Sequence, residues 1–433
     1  MTITDLQPQR LWKEFDAITR IPRPSKKEGK IIAYLQEFGK KHNLETRTDA
    51  AGNVLICKPA TKGYEDKPTV ILQSHMDMVC EKNNDTVHDF ENDPIQTYVD
   101  GEWLKAKGTT LGADNGIGMA AELAILASDD LKHPALECLF TVDEETGLTG
   151  AFAIDPNLLK GQLLINLDSE DDGQFFIGCA GGIDTTVTFT YKKEEMPEGL
   201  YYFTINVSGL KGGHSGGDIH LNRGNANKIL NRFMWQVAQK TELRISSICG
   251  GNLRNAIARE ASAVCAVPTD FKHELTIMLN KFAAEIEGEL SISDPGVKIA
   301  IDSCNKPEYM IDKETAHKLI YSIYACPHGV LRMSDDMPGL VETSTNLAAI
   351  KMQGDNEILI TTSQRSSTES SKRDAAYMVE SVFVLAGAKA THGDGYPGWK
   401  PNPKSPIANI VADTYEKLFG KKAIICAIHA GLE

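Results

Sequence analysis

The stretch V-I-L-Q-S-H-M-D-M-V, residues 70–79, delivers an imidazole and a carboxylate at the end of an apolar run, and chemistry is expected there. On a strand, residues two apart point to the same side, so His75 and Asp77 can touch. A carboxylate beside an imidazole fixes its tautomer and strengthens it as a metal ligand. Three further segments end apolar runs in acids. T-L-G-A-D-N-G-I-G puts Asp114 in a glycine-rich turn before a helix, F-T-V-D-E-E-T-G puts Glu144 and Glu145 at a strand's end, and N-L-D-S-E does the same for Asp168. Each has an ordinary structural use, as a helix N-cap, as acids in a helix's first turn, or as the opener of a turn. Their recurrence at one rim of one sheet describes instead an oxygen- and nitrogen-rich metal site.

One histidine with three or four carboxylates is more than a single zinc needs, whereas two ions about 3.5–4 Å apart sharing a bridging carboxylate would use them all. Such ions lower the pKa of bound water toward about 7. A carboxylate that is not itself a ligand is then left to take the proton. Adjacent Glu144 and Glu145 suit that division, because neighbours on an extended backbone diverge.

Positioning these groups requires an alternating β and α pattern, which the chain supplies. Leu11 to Thr19 reads as an amphipathic helix, and S-K-K-E opens a second one with Ser25 and Glu28 as a capping box. Strands are expected around Asn53 to Cys57, Thr69 to Leu72, Cys138 to Val142 and a run ending at Asp168, with a helix from Gly116 to Ser128. This is an α/β layer around a largely buried sheet. Beyond G-C-A-G-G the strands alternate, which predicts a boundary near residue 185. From there to about 390 an order of helix, two strands and helix occurs twice, and 391–433 return to the α/β style. The expected plan is a catalytic domain in two parts, 1–185 and 391–433, with residues 186–390 inserted as a lid of twice-repeated pattern.

The balance of 59 Asp+Glu against 45 Lys+Arg, a formal charge of -14, excludes nucleic acid and anionic membrane as expected partners. Nine scattered cysteines without a C-x-x-C pair argue for reduced thiols and a cytoplasmic protein. The N-terminus has neither a basic flank nor an apolar core, so neither an export signal nor a membrane span is expected.

S-H-M-D-M-V, G-A-D-N-G-I-G, D-E-E-T-G-L-T-G-A and I-N-L-D-S-E resemble the motifs of the dinuclear zinc peptidases related to carboxypeptidase G and aminoacylase. K-N-N-D-T-V-H-D-F, K-G-T-T-L-G-A-D-N-G-I-G-M, G-L-K-G-G-H-S-G-G-D-I-H and I-H-A-G-L-E look closer still to the bacterial Xaa-His dipeptidases, and the resemblance covers essentially the whole chain. It implies a catalytic domain with a central mixed sheet, an inserted α+β lid, and hydrolysis of dipeptides of Xaa-His (carnosine-like) type and broader. By resemblance His75 and Asp168 hold one zinc, Asp114 bridges both, Glu145 belongs to the other, and Asp77 orients His75. Glu144 is then the general base that later protonates the leaving amine, and Co or Mn can substitute for zinc. The family's bridging Asp is followed by a cis peptide, expected here at Asp114-Asn115. In the lid, His214 matches the histidine that stabilises the tetrahedral oxyanion. Asn255 and Arg365 match substrate-binding positions, Arg365 suiting a free carboxylate through bidentate bonding. A lid carrying these groups should close over a small peptide substrate and could join two subunits into a homodimer, which leaves open whose active site His214 serves. Relatives continue past H-A-G-L-E and supply the last histidine ligand there, so a chain ending at Glu433 is read as truncated.

Three rival readings are carried. Gly213 to Gly217 satisfies the G-x-S-x-G pattern of serine hydrolases, although no strand, sharp turn and helix follow one another around Ser215. Aminoacylase-type N-deacylation would use the same metals and base. A metal-binding relative without turnover is the third.

Overall fold

Alternation along short strands builds the first half of the molecule. The computed structural model describes residues 2–432, which divide into two compact units, 2–172 and 173–432. The first unit contains helices α1 (Gln9–Thr19), α2 (Gly29–Lys41) and α3 (Ala113–Leu126). Its strands are β1 (Glu45–Thr48), β2 (Val54–Lys58), β3 (Val70–His75), the hairpin pair β4 (Thr97–Asp100) and β5 (Trp103–Ala106), β6 (Leu136–Thr141) and β7 (Leu163–Asn166). Five of them form a sheet in the order β1-β2-β6-β3-β7. The pairs β1/β2 and β2/β6 are antiparallel, while β6/β3 and β3/β7 are parallel, so the sheet is mixed as expected.

Successive side chains alternate between faces. Ile56, Leu72, Cys138 and Phe140 pack on one face against Phe15 and Ile18 of α1, Ile31 and Leu35 of α2, and Met119 and Leu123 of α3. Leu55, Ile71 and Leu139 face the other way with Leu158. Each such side chain contributes about 1.5–3 kcal/mol. Because β3, β6 and β7 run parallel, their C-terminal ends open onto one rim, where ligands of open α/β sheets bind.

One local expectation is met and one is corrected. Helix α3 is regular from Gly116, as expected, and is preceded by a kinked turn over Ala113 to Asn115, with Gly112 before it at φ 68, a conformation in which a Cβ is disfavoured. Asp114 and Asn115 themselves depart from helical geometry, and the bond between them is cis. Helix α2 begins at Gly29 without the capping box: Ser25 donates to Asp77, and Glu28 accepts from the backbone of Lys26 and Asp143. Tertiary partners outcompete the local motif.

The C-terminal end of α3 is closed by Lys58, whose Nζ donates to the carbonyls of Ile125 and Leu126 at 2.9 Å each and also to that of Ser128. Two of these carbonyls lie in the last turn, where a helix cannot satisfy all of its own acceptors. Lys58→Met should therefore destabilise the protein by about 1–3 kcal/mol, read from urea unfolding, with circular dichroism unchanged before the transition.

In the second unit, nine strands form one sheet. Eight run in the order Lys298–Ser303, Leu200–Ser208, Ala261–Pro268, Arg244–Gly250, Val341–Gln353, Glu357–Ser366, Gly181–Thr190 and Lys389–His392, and Gly329–Met333 pairs with Val341–Gln353. Helices Ala226–Ala238, Lys272–Glu289, Lys313–Ala325 and Glu369–Leu385 share its core through Phe233, Phe282, Leu319 and Phe383. Ile424–Ile428 pairs in parallel with Gln174–Cys179, and both lie within residues 173–432. Among the described residues no cysteine is joined in a disulfide. Among the described residues no helix is long and apolar enough to cross a membrane.

Candidate metal centre

His75 is the last residue of β3 and is fully buried on the face opposite Leu72. Its Nδ1 lies 3.2 Å from Asp77 Oδ1, while its Nε2 lies 2.9 Å from Asp114 Oδ1 and 3.6 Å from Asp168 Oδ1. His75, Asp114 and Asp168 present ligand atoms within 4.8 Å of one another, as do His75, Glu144 and Glu145. The first unit thus brings together every metal or base residue expected from its sequence. Asp77 is the buried hub of the cluster: Oδ1 accepts from the backbone N–H of Glu144 at 3.0 Å, and Oδ2 accepts from that of Glu145 at 3.3 Å and from Ser25 Oγ at 2.7 Å. Asp77 therefore orients the imidazole and the loop of acids together.

The electrostatics are those of anions packed for a cation. Burial pulls the His75 imidazole down, but hydrogen bonds to Asp114 and Asp77 outweigh it and lift it to about 10. The bond from His75 holds Asp114 below the ordinary carboxylate range, whereas burial, with Asp114 and Glu144 adding, pushes Asp168 up to about 8. Like charges this close cannot all ionise without compensation. Burial also raises Glu144 and Glu145. One imidazole nitrogen among carboxylate oxygens fits a divalent ion such as zinc or manganese.

Two buried groups escaped the sequence reading. Arg23, between two prolines, donates from Nη1 to the carbonyls of Met76 at 3.1 Å and Asp77 at 2.6 Å, and from Nη2 to that of Gly112. Burial lowers it only to about 10, with Asp77 opposing, so it stays charged. No spacing rule finds a partner that is a backbone carbonyl. Gly116 lets it in, since a Cβ there would stand 2.7 Å from Nη2.

Glu122 of α3 is 0% exposed, and among the described residues neither carboxylate oxygen makes a hydrogen bond of good geometry. Burial raises it well above the ordinary range, with the nearby Ser74 hydroxyl and Cys138 thiol opposing. The folded state therefore binds a proton that the unfolded chain releases near its ordinary pKa of 4.5. Stability from this group is fully present below that pH and is lost by about 1.4 kcal/mol per unit as pH rises toward the folded pKa. Glu122→Gln should accordingly melt higher than wild type at pH 8, with the gap closing at pH 4.5, in paired thermal scans.

The remaining expected residues gather in the second unit. His214 pairs with Ala256 in a two-stranded ladder, and Ser215 N donates to Asn255 O at 2.8 Å. Arg365 Nε donates to Ser215 Oγ at 3.3 Å. The backbone N–H groups of Gly216 and Gly217 donate to His214 Nδ1 at 3.2 and 3.1 Å, which leaves its proton on Nε2. Burial, then Arg365, lowers the His214 pKa, so the ring is a neutral Nε2–H donor. Ser215 faces a guanidinium rather than a general base and is followed by a turn, not a helix, which removes the serine-hydrolase reading.

Residues 205–293 match the peptidase dimerisation domain. The chain is 44% identical over 431 residues to the cytosol non-specific dipeptidase of Escherichia coli (strain K12), an alignment covering 100% of this chain and 89% of that protein. The crystal structure of aminoacylhistidine dipeptidase from Vibrio alginolyticus matches with a TM-score of 0.96 and 44% identity, over 100% of this chain and 88% of that one. Aminopeptidase PepT from Bacillus cereus ATCC 10987 shares the fold, with a TM-score of 0.53 at 16% identity over 98% of this chain and 86% of that one.

Proposed function

This chain belongs to the M20 family of metallopeptidases and is one of its dipeptidases, and from that premise we propose that it cleaves unblocked dipeptides, Xaa-His among them, in the cytoplasm with a pair of zinc ions. The observation that carries the reading is the meeting of His75 with acids from three separate strand or helix ends. His75 and Asp168 would hold one ion and Glu145 the other, with Asp114 shared. Asp77, Asp114, Glu144, Glu145 and Asp168 gather five carboxylates about His75, an excess of acid that divalent ions would offset. Cobalt or manganese would fit the same donors. When bound, the ions polarise the scissile carbonyl and bring the pKa of water toward about 7.

The chain's own groups do the rest. Glu144, raised by burial, takes the proton of the attacking water and hands it to the leaving amine. His214 donates Nε2–H to the developing oxyanion, Asn255 binds the substrate, and Arg365 binds its free carboxylate. The two relatives at 44% identity are dipeptidases, which favours peptide hydrolysis over N-deacylation. Residues 205–293 are read as joining two copies in a homodimer, testable by analytical ultracentrifugation.

The experiment is turnover of β-alanyl-histidine beside a panel of other dipeptides and N-acetyl amino acids, with zinc measured on the same protein. Cleavage of several dipeptides supports the reading. Activity confined to N-acetyl amino acids would replace it with deacylation, and metal binding without turnover of either class would leave a metal-binding relative.

A further inference from the structure

Arg365 is 6% exposed, and among the described residues no carboxylate forms an ion pair with it. A guanidinium so deeply set is ordinarily paired, because an isolated charge is expensive to bury. Its neighbours are hydroxyls: Nε donates to Ser215 Oγ at 3.3 Å, and Nη1 donates to Tyr396 Oη at 2.7 Å. The second contact fixes the phenol's orientation. Its oxygen is already accepting, so the phenolic hydrogen points elsewhere, and among the described residues it meets no acceptor.

The rest of Tyr396 is held rigidly. Its backbone exchanges hydrogen bonds with Gly182, N to O at 2.8 Å and O from N at 3.1 Å, and its carbonyl accepts from the buried Lys372 Nζ at 2.5 Å. The ring fits between two glycines, since a Cβ at Gly182 would come within 2.7 Å of it and one at Gly431 within 2.9 Å. The result is a preset hydrogen-bond donor beside an unpaired buried cation.

We propose that Tyr396 is a specificity-determining residue: its hydroxyl donates to one oxygen of the substrate's C-terminal carboxylate while Arg365 binds that same carboxylate. The pair favours a substrate with a free C-terminal carboxylate and disfavours its amide. The proposal rests on the reading of Arg365 as the carboxylate-binding residue.

The test compares wild type, Tyr396→Phe and Arg365→Met on a dipeptide and on the same dipeptide with its C-terminus amidated. Removing one hydrogen bond to a charged group should raise KM for the free acid about 10- to 100-fold in Tyr396→Phe, with kcat nearly unchanged and the amide unaffected. Arg365→Met should lose the preference for acid over amide altogether. An unchanged KM for the acid, or an equal loss on acid and amide in a Tyr396→Phe variant, overturns the role of Tyr396, the latter showing a structural effect only. If Arg365→Met keeps the acid preference, the reading of Arg365 fails instead, and a Tyr396→Phe loss specific to the acid would then make Tyr396 the carboxylate donor on its own.

Discussion

Glu144→Gln is expected to lower kcat by about 10²–10⁴ while the protein keeps its metal and its fold. The loop holds this side chain beside His75 and Glu145, and its backbone N–H is fastened to Asp77 Oδ1 at 3.0 Å. Glutamine preserves size and that backbone bond, so the variant loses only the capacity to carry a proton. Burial raises the Glu144 carboxyl, which brings it nearer to neutral pH, where a group that both accepts and returns a proton works best. Steady-state kinetics with metal analysis of the same sample checks the assignment. A variant with normal kcat would transfer the base to another residue, and one that loses its metal would make Glu144 a ligand.

Stripping the metal should cost turnover at least as heavily as the middle of that range. The Arg23 donors beside the cluster face carbonyls, so this cation is not free to polarise a peptide carbonyl. Dialysis against a chelator should therefore reduce kcat/KM by about 10³ or more, since Lewis-acid stabilisation is worth several kcal/mol. Zinc, cobalt or manganese should restore it. Asp114→Asn should bind less metal even when loaded in excess. Asp77→Asn, which still touches His75 but no longer offers it a charge, should weaken affinity by about 10- to 100-fold. Full turnover by metal-free protein would end the metallopeptidase mechanism.

Much of the first unit could be read because parallel strands end together. The apolar runs before His75, Glu144 and Asp168 mark three neighbouring strands, and the acids follow directly. The period-two rule also places His75 beside Asp77, as found at 3.2 Å. What stayed hidden were bonds whose partners carry no sequence signal. Arg23 binds carbonyls, which every residue has, and Glu122 lies on an otherwise apolar helix whose spacing says only that it is buried. S-K-K-E has the spacing of a capping box, yet Ser25 gains more from a charged partner in Asp77 than from a helix end. In the second unit, His214, Asn255 and Arg365 lie far apart in sequence, and no local pattern predicts that they assemble. They were found through resemblance, and Tyr396, which no motif marked, was seen only once the chain was folded.

The fork of Arg23 reaches the arm that carries His75 and the turn that carries Asp114 at once. The gap between those arms is consequently set by a rigid planar cation built into the polypeptide rather than by whatever ion arrives. Stripped of its ions, the scaffold should keep its shape, so loading becomes a simple capture event without a folding step, and exchange of one ion for another should be fully reversible.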